Sequence, residues 1–491
     1  MQRRNAVELK QAMAQSTDYQ SWYTTAVEYD WLKGHEAWKV ENESPDYLYK
    51  LILKRLNHLR ACYKAKDIPQ LVYSLREGLK RNIGNIANPV LYNHARVGTK
   101  YLIDDYIHEV STLLKYLAEE DLKQFSLKDK LKFFRQSYQG YGRSALLLSG
   151  GSTMGMFHVG VFRALFEQGL LPRVISGSSA GSIMTSVFGV KTEEEMWTLH
   201  REPEQMLAKN IFQRLPWAEI AQGKGILSSK ALENFLRDTI GEYTFEEAFE
   251  RTGRMINISI SPLYQSQHPR LANYLTTPHV LIWSACLASC TVPGVFAPVE
   301  LTAKNIHGEY VTHMKGVRWV DGSVTNDIPI KRLSELFNVN HYIVSQVNPH
   351  ITPFMEQRWH TKDIRWNMRD LFKSEAKHRG LQLLKLFGAP KYGNRLSMLG
   401  MLNSVLDQQY QGDINIFPKL GVKKYLRLFA NPDVQEFRAA LLEGERATWP
   451  HIAMIKNETL VGLTLEKCLL DLEQQERQPV QIQGPRLYAA S

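Results

Sequence analysis

ALLLSGGSTMGMFHVGVFRALFEQGLLPRVISGSSAGSIMTSVFG, residues 145–189, decides the fold. The same event occurs in it twice: an apolar run ends in glycines and opens into a helix-like segment. The first is 145–148, then Gly150-Gly151-Ser152-Thr153-Met154-Gly155, then an amphipathic run over 156–168. The second is Val174-Ile175, then Gly177-Ser178-Ser179-Ala180-Gly181, then 182–188. Two such units in succession predict β-turn-α-β-turn-α, the repeat of a mostly parallel sheet covered by helices, and so an α/β fold.

The second turn reads Gly-x-Ser-x-Gly. A serine on a sharp strand-to-helix turn has its hydroxyl lifted clear of the sheet, and the flanking glycines let the backbone pass close to itself. The following helix directs its N-terminal N–H groups and positive dipole end towards that hydroxyl. The first turn offers backbone N–H groups able to converge on an oxyanion. Alone, a Gly-x-Ser-x-Gly string is also an ordinary tight turn; its pairing with a glycine loop one β-α unit earlier is what points to chemistry. A third piece lies downstream, 317–329, VRWVDGSVTNDIP. There an apolar strand ends in Asp321-Gly322, placing a carboxylate where a parallel sheet presents its functional groups. Asp-Gly is equally a common turn.

Taken together and in this order, Gly150–Gly155, Gly177–Gly181 and Asp321-Gly322-Ser323 resemble the patatin-like phospholipase family. The resemblance is narrower still to its triacylglycerol-lipase branch, which carries a helical N-terminal domain. Trp31-Leu32-Lys33-Gly34, Asn88-Pro89-Val90-Leu91-Tyr92, Gly98-Thr99-Lys100 and 409–416 carry that part of the likeness. It implies a three-layer α/β/α core with a mostly parallel sheet, preceded by a helical N-terminal domain and followed by a helical C-terminal region. It also implies Ser179 as nucleophile and Asp321 as its partner in a dyad without histidine. Amides of Gly150, Gly151 and Ser152 would form the oxyanion hole, with Gly155, Gly177, Gly181 and Gly322 supporting the motifs. The expected activity is hydrolysis of glycerolipid carboxylic esters, foremost triacylglycerol, through an acyl-enzyme. A phospholipase, a glyceride transacylase and a non-catalytic lipid-surface protein are the alternatives. Phospholipase members usually have a third glycine where this chain has Ser152 and a basic residue where it has Met154. The lost cation favours neutral glycerides. No residue set here implies a cofactor or metal.

The 491 residues, 44% hydrophobic and 22% charged, can hold two or three domains. The expected division is 1–140 helical, 144–348 catalytic, 349–473 a helical extension and 474–491 a disordered tail. A net charge of +10 suits work near anionic lipid surfaces. Nucleic-acid motifs are missing, so charge alone makes no such case. Cys62, Cys286, Cys290 and Cys468 lack metal-ligand spacing and read as buried thiols of a reducing compartment. The N-terminus does not read as a secretory signal, and no apolar stretch reads as a span. The expected setting is therefore cytoplasmic and peripheral to a membrane or lipid droplet, with no nucleic acid and no obligate protein partner.

Over 11–139, Leu48, Leu51, Ile52, Leu56 and Leu59, then Leu71, Leu75 and Leu79, then Tyr106, Val110, Leu113, Leu114 and Leu117 follow helical spacing. Its aromatics, Trp22, Tyr29, Trp31 and Tyr47 among them, read either as interhelical packing or as an interfacial belt. Further strands are expected at 255–260 and 341–347, and a helix at 279–290. Leu381, Leu383, Leu384, Leu386 and Phe387 read as a cap over a lipid cleft or as core. A full-triad hydrolase would need His341 or His350 as base. His158, near the glycine loop, reads as a packed histidine.

Overall fold

The computed structural model describes residues 4–207, 210–222, 225–263, 269–323, 327–348, 411–419 and 427–477. The cap at 381–387 and His350 lie outside them, as does the tail expected at 474–491 from 478 onward; residues 474–477 are the end of the helix Ile452–Arg477. Both glycine-terminated apolar runs are strands: β1 (Arg143–Leu148) and β2 (Val174–Gly177) pair in parallel. β3 (Met255–Pro262) continues the sheet in parallel beyond β2 and is flanked by antiparallel β4 (Arg270–Ala272). β5 (Leu301–Lys304) and β6 (Tyr310–His313) make a separate hairpin. β7 (Trp319–Asp321) pairs antiparallel with β3, while β8 (Val339–Ser345) and β9 (Ile414–Ile416) extend the parallel sheet from β1. The order is β4-β3-β2-β1-β8-β9, so the sheet is mixed and mostly parallel.

Alternation assigns the two faces. Leu146, Ile175 and Ile256 lie in one row across β1, β2 and β3; Ala145, Val174 and Met255 lie in the next. Among the described residues α2 (Ala180–Val190), α3 (Ile282–Cys290) and α4 (Ile330–Phe337) pack on the strands, and α5 (Val434–Thr448) packs on α1 (Phe157–Glu167). α2 lies on the first row, where Gly189 meets the Ile256 side chain. α4 closes the second face with Leu333 and Phe337, which pack with Ala145, Leu147, Val174 and Val339. All these positions are buried, as a sheet covered on both faces requires; β1 is apolar on both sides over 145–148, whereas β3 alternates Ile256, Ile258 and Ile260 with buried Asn257 and Ser259. The result is the expected three-layer, patatin-like α/β core.

Two packing units interleave in sequence. One is Met1–Ala26 with Arg143–Ile452, the other Val27–Gly142 with Ala453–Ser491. The second is helical: Tyr49–Ala65, Ile68–Gly78, Tyr101–Glu119 and Leu127–Tyr141 are joined by most of Ile452–Arg477. Ile52, Leu56 and Leu59, Leu71 and Leu75, and Val110 through Leu117 along the predicted stripe are buried there, whereas Leu51 is exposed. Ser111 and Thr464 meet hydroxyl to hydroxyl at 2.7 Å. Trp22, Tyr29 and Tyr47 are buried and Trp31 is exposed, so most of these aromatics serve packing. Among the described residues no helix is long and apolar enough to cross a membrane.

Candidate active site

β2 ends at Gly177 and α2 begins at Ala180, leaving Ser178 and Ser179 to make the turn. Ser179 takes φ 49° and ψ −125°, a conformation that costs a side-chain-bearing residue energy and persists only where the surroundings impose it. Here they do. Its N–H donates to Ser289 Oγ at 2.9 Å. The chain after the turn presses back on the sheet: a Cβ on Gly181 would lie 2.1 Å from the Leu148 carbonyl oxygen. No larger residue fits there.

Asp321 is brought to the serine by a strand that runs opposite to expectation. β7 is antiparallel to β3, with Asp321 opposite Ile260, so the carboxylate does not come from a parallel strand's carboxyl end. The β5–β6 hairpin intervenes between β4 and β7, and the chain returns from it to pair antiparallel with β3. The Asp321 carboxyl is close enough to the Ser179 side chain to interact with it. The Ser323 N–H also donates to Asp321 Oδ1, at 2.8 Å. Burial pushes the Asp321 carboxyl up to about 7; these interactions oppose the rise, and the nearby Asp327 charge adds to it.

The glycine turn reaches the same place. A Cβ on Gly150 would stand 3.2 Å from that of Ser179. The Gly150 N–H, however, donates to Asp327 Oδ1 at 2.8 Å. Among the described residues the amides of Gly151 and Ser152 have no acceptor. Ser152, at φ 51°, is held by its hydroxyl on the Leu428 carbonyl, to which the Thr153 hydroxyl and N–H also donate. Asp327 was not singled out from the sequence. The signal available was a second acid six residues beyond Asp321, in the same quoted stretch.

Beside the serine lies an apolar cleft. Ile183, Met184, Met206, Ile211, Phe235, Phe296, Phe429 and Phe437 line it, with Ser152 and Ser179 as polar points. A lining of this kind suits an apolar chain. The Cys290 thiol, buried as predicted, also borders it.

His158 and His341 stand elsewhere. His158 is fully buried, with Nδ1 2.7 Å from Ser345 Oγ and Nε2 2.9 Å from the Ser149 carbonyl. Burial lowers it to about 4, so it is a neutral packed imidazole. His341 is the third residue of β8 and meets Ser144 Oγ at 3.0 Å, near the amino edge of the sheet. From Ser144 to Leu148 alone is roughly 13 Å at about 3.3 Å per residue. No group of three or more possible metal ligands occurs among the described residues.

A mixed α/β sheet with a serine elbow beside an apolar cleft, a neighbouring glycine turn and a buried aspartate defines the patatin-like class. The description "Patatin-like phospholipase" matches residues 146–334, and "Domain of unknown function (DUF3336)" matches 1–139. Triacylglycerol lipase ptl3 of Schizosaccharomyces pombe is 34% identical over 93% of this chain and 96% of its own. The chain belongs to the patatin-like phospholipase family. Triacylglycerol lipase 4 of Saccharomyces cerevisiae is 37% identical over 92% of this chain and 52% of its own. Triacylglycerol lipase SDP1L of Arabidopsis thaliana is 36% identical over 95% and 59%. The chain thus spans between half and two-thirds of the length of these last two relatives.

Proposed function

We propose that this chain is a serine lipid acyl hydrolase that cleaves glycerolipid carboxylic esters, foremost triacylglycerol, at a membrane or lipid-droplet surface. The observation that carries the reading is the buried Asp321 carboxyl set against Ser179, which itself lines the apolar cleft. The names of the relatives support the substrate class. Met154, standing where phospholipase members of the family usually carry a basic residue, fits a neutral glyceride.

A serine hydroxyl is a weak nucleophile until a base takes its proton. Asp321 accepts that proton as Ser179 Oγ bonds to the ester carbonyl carbon. Its raised pKa makes it a better base near neutral pH than an ordinary aspartate. The carbonyl oxygen, now negative, accepts from the Gly151 and Ser152 amides; the Gly150 amide, held by Asp327, contributes through the shape of the turn. As the carbon–oxygen bond to the alcohol breaks, Asp321 returns the proton to the leaving alkoxide and the acyl group stays on Ser179. Water, deprotonated by Asp321, then attacks the acyl carbon. The fatty acid leaves and the proton goes back to Ser179.

The test is fatty-acid release by wild type and Ser179→Ala from triacylglycerol emulsion and phospholipid vesicles side by side. Serine-dependent release chiefly from the emulsion is expected. Release chiefly from vesicles would replace the triacylglycerol assignment by a phospholipase, and release unaffected by Ser179→Ala would end the serine mechanism.

A further inference from the structure

Asp327 has no role in the chemistry above, yet its carboxylate joins three loops at the edge of the sheet. Oδ1 accepts the Gly150 N–H at 2.8 Å and the Ser178 hydroxyl; Oδ2 accepts from Asn348 Nδ2 at 3.2 Å. Gly150 opens the glycine turn, Ser178 immediately precedes the elbow serine, and Asn348 follows β8. Asp327 is buried, 1% exposed, so water does not compete for these bonds. The three named partners are all donors, and a carboxylate is the side chain that only accepts. An asparagine here would turn its own N–H groups towards Asn348.

The position is sensitive because the turn is already in contact with the nucleophile. A Cβ on Gly150 would stand 3.0 Å from that of Ser323 and 3.2 Å from that of Ser179, so a small shift of Gly150 is felt at the elbow. The amides of Gly151 and Ser152 follow it directly in the chain. We infer that Asp327 is a positioning residue for the Ser179–Asp321 site: it clamps the Gly150–Ser152 turn to the elbow and stands as a second carboxylate beside Asp321. The inference rests on the serine-hydrolase reading above. Loss of the clamp withdraws interactions made in the transition state, which lowers kcat and leaves KM. Loss of the charge makes Asp321 easier to ionise, because a neighbouring negative charge opposes ionisation. Among the described residues the Cys290 thiol also feels the Asp321 charge; it is raised, first by its hydrogen bond with Cys286 and by burial, and stays neutral.

The test compares wild type, Ser179→Ala, Asp327→Ala and Asp327→Asn on a soluble p-nitrophenyl ester across pH, with the Tm of each. Expected are an inactive Ser179→Ala and a folded Asp327→Ala whose kcat falls about 100-fold or more with KM within about threefold. Asp327→Asn keeps an acceptor for Gly150 and holds kcat within about tenfold. The acid limb of its kcat/KM profile moves to lower pH by about half a unit or more. If Asp327→Ala does not fold, that limb alone decides. An unmoved limb, or a folded Asp327→Ala within threefold of wild type while Ser179→Ala is dead, overturns the inference and leaves the serine reading standing. An active Ser179→Ala overturns both.

Discussion

The backbone N–H of Ser179 donates to the hydroxyl of Ser289 at 2.9 Å, and that hydroxyl donates onward to the Ser259 carbonyl at 2.7 Å. The elbow is thereby held from behind by the last turn of α3 and through it by β3. A serine at φ 49° would otherwise relax, so the strain at the nucleophile is balanced by a bond made 110 residues later in the chain.

Ser289→Ala should therefore loosen the elbow. It leaves the Ser179 N–H and the Ser259 carbonyl buried with one partner fewer, at a cost of about 1–3 kcal/mol. The misplaced hydroxyl should lower kcat about tenfold or more. Thermal unfolding and turnover of a soluble ester check both; a variant with wild-type kcat would show that the elbow holds its shape without α3.

The raised carboxyl of Asp321 gives two opposite pH effects. Proton uptake by Ser179's partner requires the ionised form, so kcat/KM should fall as pH drops through about 7. Stability runs the other way. A carboxyl at about 7 in the fold and near 3.8 unfolded binds its proton more readily when folded. Its favourable contribution is complete below the unfolded value and is lost as pH rises through about 7. Asp321→Asn, which never has to carry a buried charge, should be inactive yet melt about 2 °C or more above wild type at pH 8.5. The gap should vanish near pH 4. A variant that melts lower at pH 8.5 would mean that the hydrogen bonds to the carboxylate outweigh its desolvation.

His158 has the reverse sign. Its folded pKa is depressed from 6.5 to about 4 by burial, so the stability it lends is present above 6.5 and lost as pH falls towards 4. His158→Gln should show a shallower decline of Tm over that window than wild type, isolating this group from the carboxylates. Equal slopes would show that the imidazole finds water or a new acceptor on protonation.

Much of this arrangement was legible because it is local. The strands β1 and β2, the two glycine turns and Ser179 lie within 45 consecutive residues, and their periodicity and glycines suffice to read them. What the pattern did not give is what depends on distant parts of the chain. The antiparallel entry of β7 comes after the intervening β5–β6 hairpin, and no local spacing encodes it. The occupation of the Gly150 N–H by Asp327 spans 177 residues. Ser289 looked like one small residue in an apolar helix, and its bond to Ser179 is fixed by how α3 packs. Helical periodicity over 48–117 predicted burial at most positions, but not that the last long helix would join that unit.

His341 provides the cleanest separation of this site from a three-residue charge relay. Its imidazole meets Ser144 at the start of β1, while Ser179 follows the end of β2, at the opposite edge of a sheet whose strands run in parallel. No side-chain rotation spans that gap, since the ring is buried and its Nδ1 is engaged. His341→Gln offers an amide in place of the imidazole nitrogen, so kcat should remain within about threefold while Tm falls by a few degrees at most. A folded variant that lost turnover a thousandfold would require a base that the observed sheet keeps away from the serine. The Ser179–Asp321 pair could not then be the complete proton path.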